Sequence, residues 1–168
     1  CVANFWVIKD HISLIKSIHL LINEGILDIE LRLVGKGETL DACKKYVQDH
    51  NLSRYVLFFD EMTHIELNDF YNTIDLFVLP SYYEALGCVL LEAWTTGTVI
   101  ISIHNQGISE LIPDSEFNNL LAKERSPESL KEKIYAEYSK RRGLLFNKQY
   151  SIMNTIQEFM RYKFFNNE

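Results

Sequence analysis

Two hydrophobic periods alternate along this chain. Short apolar runs stand at 2–7, 56–59, 76–79 and 99–102, and Glu30–Val34 alternates residue by residue. Runs this short, rich in β-branched and aromatic residues, predict buried strands. Between them the spacing changes to three and four. Ile12, Ile15, Ile18, Leu21 and Ile22 predict a helix over 11–21 that Gly25 closes. Thr39 is placed to cap a second helix reaching about His50. Thr63 and Glu66 have capping-box spacing ahead of a helix over 65–72.

The run at 76–79 ends at Pro80, which cannot donate to a sheet ladder. Ser81, Tyr82, Tyr83 and Glu84 then form an exposed turn, and a helix over 87–95 stops at Gly97. After the strand at 99–102, His104-Asn105-Gln106-Gly107 reads as a loop. Ile108 to Leu111 reads as a short helix that Pro113 ends. Asn119 to Ala122 reads as a last short strand. Ser126 and Pro127 open a helix to about Arg142, as cap and first position. An amphipathic tail helix over about 148–165 carries Ile152, Ile156, Phe159, Met160 and Phe164.

Strands alternating with helices predict an α/β domain, a Rossmann-like parallel sheet of about six strands with helices on both faces. The chain is expected to be a single domain over 1–168, with 147–168 as its tail. Right-handed crossovers place every strand-to-helix turn at one edge of the sheet, where ligands of open parallel sheets bind. Lys9, Gly35, Asp60 to Thr63, Ser81 to Gly87 and His104 to Gly107 are therefore expected around one crevice.

The chemistry concentrates at 76–101. Glu84 precedes the helix and Glu92 lies eight positions on, about two turns, so both can fall near one face. Val89, Leu90 and Leu91 imply burial beside Glu92, where a carboxylate needs hydrogen-bond donors. Ligand hydroxyls would supply them. The helix start beside Gly87 offers N–H groups and partial positive charge, suited to a phosphate. An acid, an anion site and a second acid for hydroxyls match the groups of a sugar nucleotide.

Pro80, Ser81, Glu84, Ala85, Leu86, Gly87, Leu91, Glu92, Ala93, Gly97, Val99 and Ile100, continued by Gly107 and Glu110, carry a resemblance. The stretch over about 2–135 resembles the C-terminal domain of family 4 retaining glycosyltransferases with the GT-B fold (glycosyl transferases group 1). The resemblance implies a nucleotide-sugar donor-binding domain of an enzyme that transfers a sugar to an acceptor with retained anomeric configuration, in glycan or polysaccharide biosynthesis. Glu84 would stand beside the transferred sugar as the catalytic candidate, orienting hydroxyls or stabilising positive charge at the anomeric carbon. Glu92 would bind the ribose. Lys9, Ser81 and the backbone of Ala85, Leu86 and Gly87 would hold the diphosphate, and Gly35 and Gly37 would line the nucleotide pocket. Asp60 to Thr63 would approach the base. The family has an arginine where this chain has Asn4-Phe5. The expected partners are a nucleoside-diphosphate sugar and an N-terminal acceptor-binding domain of the same protein. Without that domain the chain is expected not to transfer sugar. No cofactor or metal is implied, because lysine and helix N–H groups stabilise the departing diphosphate.

Composition narrows the remainder. A hydrophobic content of 47% over 168 residues supports a real core. A net charge of −6 argues against a nucleic-acid partner; Lys140-Arg141-Arg142 is the one basic cluster. Cys1, Cys43 and Cys88 show no metal spacing and fit a reducing, cytoplasmic compartment. His11, His19, His50, His64 and His104 show none either, and no metal site is expected. The chain opens without Met inside an apparent strand, as a fragment of a longer protein would. The tail helix is expected to cover the core or to touch the missing domain or the inner face of a membrane. Two rival readings stand. One is a receiver-like signalling module built on Asp60. The other is a glycosyltransferase-like scaffold without activity, favoured by the absent arginine.

Overall fold

A computed structural model describes residues 1–140. The expected tail helix over about 148–165, the contact expected of it, and the end of the helix expected to reach Arg142 lie outside the described residues. Five strands alternate with helices: α1 (His11–Asn23), β1 (Leu31–Val34), α2 (Leu40–Asp49), β2 (Val56–Phe59), α3 (His64–Tyr71), β3 (Leu76–Leu79), α4 (Cys88–Thr95), β4 (Val99–Ile103), α5 (Asp114–Leu120), β5 (Leu121–Ala122) and α6 (Pro127–Lys140). All paired strands are parallel, β1 with β2 and β3–β4–β5 in that order. Every residue of β4 is buried, as expected of a central strand covered on both faces. Phe77, Leu79, Leu90, Ile100, Ile101 and Ile108 are fully buried around it.

Three sequence expectations change. The apolar run at 2–7 is not a sixth strand. Val2 makes a single parallel bridge to Val34. Ala3 N–H then donates to the Val34 carbonyl at 3.1 Å and Phe5 N–H to the Lys36 carbonyl at 2.8 Å. The chain next turns through a 3-10 turn at Val7–Lys9 and through Asp10 in the left-handed region (φ 50°). That turn brings Lys9 to the strand tips, which a straight strand would overshoot. The second change is at 119–122, where only Leu121 and Ala122 pair with β4. Asn119 and Leu120 instead close α5, an unforeseen helix whose first turn has Glu116 N–H donating to the Pro113 carbonyl at 2.8 Å. The third is Thr39, which stands at the N-cap of α2 without a side-chain capping bond. The Thr63–Glu66 box forms reciprocally, and Ser126 Oγ accepts from Ser129 N–H at 3.1 Å.

His11 opens α1 at 1% exposure, stacked on Phe5 with ring centroids 4.0 Å apart. Neither ring nitrogen has a hydrogen-bond partner in good geometry, and the nearby Ala3 backbone, which favours the charged form, does not offset burial. Burial above all, with the positive charge of Lys9 acting in the same direction, lowers its pKa from 6.5 to about 4. Between those values the unfolded chain binds a proton that the fold refuses. The fold is therefore favoured above pH 6.5 and loses stability as pH falls towards 4, by roughly 3 kcal/mol at one pKa unit per 1.36 kcal/mol. Asp10, whose carboxyl pKa burial raises, acts with the opposite sign. His11→Phe keeps the stack and removes the titration. Its urea midpoint is expected to vary less between pH 6.5 and 4 than the wild type's, and an unchanged acid limb would refute the assignment.

Candidate functional site

Parallel strands bring the carboxyl ends of β1, β2, β3 and β4 to one edge. There the Val34↔Phe59 and Leu79↔Ser102 register puts the strand tips side by side. A crevice of about 480 Å³ opens at this edge. Of the residues nominated from the sequence, Lys9, Gly35, Glu84, Ala85, Leu86 and Gly87 line it. Asn4, Glu61, Met62, Leu67 and Val89 line it as well and had been given no individual role.

The glutamate turn is built from both sides. Gly87, at φ 72°, is the N-cap of α4, so the helix start faces the crevice with its first-turn N–H groups. Tyr82 N–H donates to the Ile8 carbonyl at 2.7 Å, tying this turn to the one that carries Lys9. On the other side Gln106 bridges it. Its Oε1 accepts from Glu84 N–H and its Nε2 donates to the Tyr82 carbonyl at 3.3 Å. Gly107 N–H donates to the Glu84 carbonyl at 3.1 Å. A Cβ on Gly107 would lie 1.5 Å from the Ala85 carbonyl oxygen, so only glycine admits this approach. Gln106 was expected near the crevice only as part of the 104–107 loop, without a role of its own. Its place after a strand was legible, but nothing local marks which turn it would brace.

Lys9 and Glu84 meet directly, Nζ to Oε2 at 2.5 Å, with side chains 22% and 18% exposed. The charge-assisted contact ties the two turns together. A second ion pair, Lys36 to Glu61 at 2.6 Å, is exposed.

Three nominated residues stand off the crevice lining. Gly37 serves the backbone: at φ 151° it lets the Phe5 carbonyl come within 2.6 Å of where a Cβ would be. Ser81 is 1% exposed and its hydroxyl has no hydrogen-bond partner. Glu92 is half-buried, and its Oε2 accepts the Tyr71 hydroxyl at 3.0 Å. The Glu84 side chain is thus at the crevice, whereas Glu92 lines neither this crevice nor the larger cavity at the opposite edge. Asp60, Glu110 and His104 are exposed.

A larger cavity, about 810 Å³, lies at the opposite edge, against the starts of β1 and β3 at Leu31 and Leu76. The carboxyl-end crevice is the stronger candidate, because it holds the lysine–glutamate pair and a helix start. Among the described residues no three His, Cys, Asp or Glu side chains are grouped as metal ligands. Cys1, Cys43 and Cys88 are free thiols, and burial raises that of Cys43 to about 11. No helix among the described residues is long and apolar enough to cross a membrane.

The sequence pattern of the glycosyl transferases group 1 family matches residues 1–142, and the chain belongs to that family. An uncharacterized glycosyltransferase of Methanocaldococcus jannaschii is 30% identical over 112 residues, covering 64% of this chain. The chain spans only 30% of that relative's length. The fold is that of the C-terminal domain of a GT-B glycosyltransferase. The C-terminal domain of a group 1 family protein (LpcC) of Francisella tularensis superposes with a TM-score of 0.75 at 18% identity. It covers 99% of this chain and 85% of that one. The Anabaena protein HepE, solved in complex with UDP and glucose, superposes with a TM-score of 0.75 at 16% identity, covering 98% of this chain and 48% of that one. Membership of this family displaces the receiver-like reading of Asp60.

Proposed function

We propose that this chain is the donor-binding half of a retaining glycosyltransferase, whose whole protein transfers a sugar from a nucleoside-diphosphate sugar to a glycan acceptor. The observation that carries the proposal is the meeting of Lys9, Glu84 and the start of α4 in one crevice at the strand tips. The structural likeness to a protein solved with UDP and glucose supports the same donor class. In this reading Lys9 and the backbone N–H groups at Ala85, Leu86 and Gly87 hold the diphosphate, and no metal takes part. Charge that develops on the departing phosphate meets dipoles already in place. Glu84 acts on the transferred sugar and Glu92 on the ribose. An N-terminal domain supplies the acceptor site, at the cytoplasmic face of a membrane or in the cytoplasm, and the 168-residue chain alone does not turn over.

Titration with UDP, ADP and GDP tests the donor site. One of them is expected to bind, and Glu92→Ala is expected to weaken it at least tenfold, the worth of hydrogen bonds to a charged acceptor at about 1.5–3 kcal/mol. Failure of all three to bind would favour the inactive scaffold. Asn4-Phe5, in place of a second cation, is the observation on that side.

A further inference from the structure

The seam between α3 and α4 runs inward from the crevice. Leu67 on α3 lines the crevice, as do Cys88 and Val89 on α4. Tyr71 lies four residues beyond Leu67, and Glu92 lies four beyond Cys88 and three beyond Val89. Residues at those offsets share a helix face, so the Tyr71–Glu92 contact lies one turn further in along the seam, between the crevice and the opposite cavity, which Tyr71 itself lines.

The contact there is well held. The Tyr71 hydroxyl donates to Glu92 Oε2 at 3.0 Å. Tyr71 is 2% exposed, and its ring meets Phe70 and Phe77 edge to face. Thr98 Oγ1 donates to the Tyr71 backbone carbonyl at 2.9 Å, from the turn that leads into β4. The phenol therefore cannot follow Glu92 if the carboxylate swings away. Burial, and then the Glu92 charge, push the phenol pKa above its ordinary value of 10, so the hydroxyl remains a donor at neutral pH. A carboxylate offers about four lone-pair sites, and Tyr71 occupies one of them. The others remain for a pair of ligand hydroxyls. A glutamate already restrained has less rotamer freedom to lose when the ligand arrives.

We propose that Tyr71 is the positioning residue that orients the Glu92 carboxylate towards the vicinal hydroxyls of the donor's ribose, and thereby sets a preference for ribo- over 2′-deoxyribonucleotides. The inference rests on the donor-site reading of Glu92.

Calorimetric titration of the 168-residue chain with UDP, ADP and GDP and their 2′-deoxy counterparts tests it. For the base that binds tightest, Tyr71→Phe is expected to weaken the ribonucleotide roughly five- to tenfold, one hydrogen bond's worth, and the 2′-deoxynucleotide about twofold or less. The ratio between the two sugars then collapses. A merely structural role would weaken both equally and leave the ratio intact, which would overturn the inference. If Tyr71→Phe fails to fold, Thr98→Val, which frees the Tyr71 backbone, is expected to lower the same ratio, and an unchanged ratio there overturns the inference too. Loss of binding in Glu92→Ala with an unaltered ratio in Tyr71→Phe removes the inference and leaves the donor reading standing. Absence of binding by the unsubstituted chain removes both.

Discussion

Replacing Gly107 by alanine is expected to cost the fold about 3 kcal/mol, the upper end of the range of about 1–3 kcal/mol for forced overpacking. The added Cβ would stand 1.5 Å from the Ala85 carbonyl oxygen, 2.6 Å from its carbon and 3.2 Å from Leu86 Cα. These are backbone atoms, so no side chain can rotate away, and the whole of 84–87 must move. A misplacement of about 1 Å at a reacting group costs on the order of a hundredfold in rate, so the same substitution should also weaken donor use. Gly97→Ala is the comparison. Nothing lies within 4 Å of its new Cβ, and only the φ of 86° is strained, at about 1 kcal/mol. Urea midpoints of the two variants measure the difference. If Gly107→Ala is no worse than Gly97→Ala, the close approach does not hold the glutamate turn.

Glu84→Gln is expected to move binding and turnover in opposite directions. Glu84 lies 2.5 Å from Lys9, so its charge both occupies the lysine and opposes an incoming diphosphate. Neutralising it should tighten nucleoside-diphosphate binding roughly three- to tenfold, about 1 kcal/mol, as expected from a like charge removed a few ångströms away in an open crevice that water screens. Sugar transfer by the protein that contains this chain should fall on the order of a hundredfold or more, the usual loss when one preorganised electrostatic partner is taken from a reacting centre. Lys9→Met should weaken the diphosphate by roughly ten- to a hundredfold, the worth of a charge-assisted contact. A Glu84→Gln protein with unaltered turnover would remove Glu84 from the reaction.

Much of the architecture was legible because it is local. The Thr63–Glu66 box, the Pro80 stop, the glycine at the start of α4 and the apolar runs of β2, β3 and β4 each rest on residues a few positions apart. Where the expectation failed, a non-local contact had decided. The run at 2–7 has strand composition. It bends because Phe5 bonds the Lys36 carbonyl beside the glycines at 35 and 37, and because Asp10 accepts a left-handed turn. β5 is short because its pairing with β4 is confined to Ser102 and Ile103, and it closes where His104 N–H donates to the Ala122 carbonyl at 2.9 Å.

The sequence by itself determined the kind of domain and the short list of chemical groups: a lysine after the first apolar run, two glutamates four residues either side of Cys88, and glycines at the turns. Tertiary structure alone decided their partners. Lys9 and Glu84 are 75 residues apart in the chain and 2.5 Å apart in space. Glu84 takes its bracing from Gln106, and Glu92 its donor from Tyr71. Such pairings follow from strand order and crossover direction, which set the neighbours of each loop. Periodicity along the chain records burial and backbone geometry, and contains no information on which distant side chain completes a hydrogen bond.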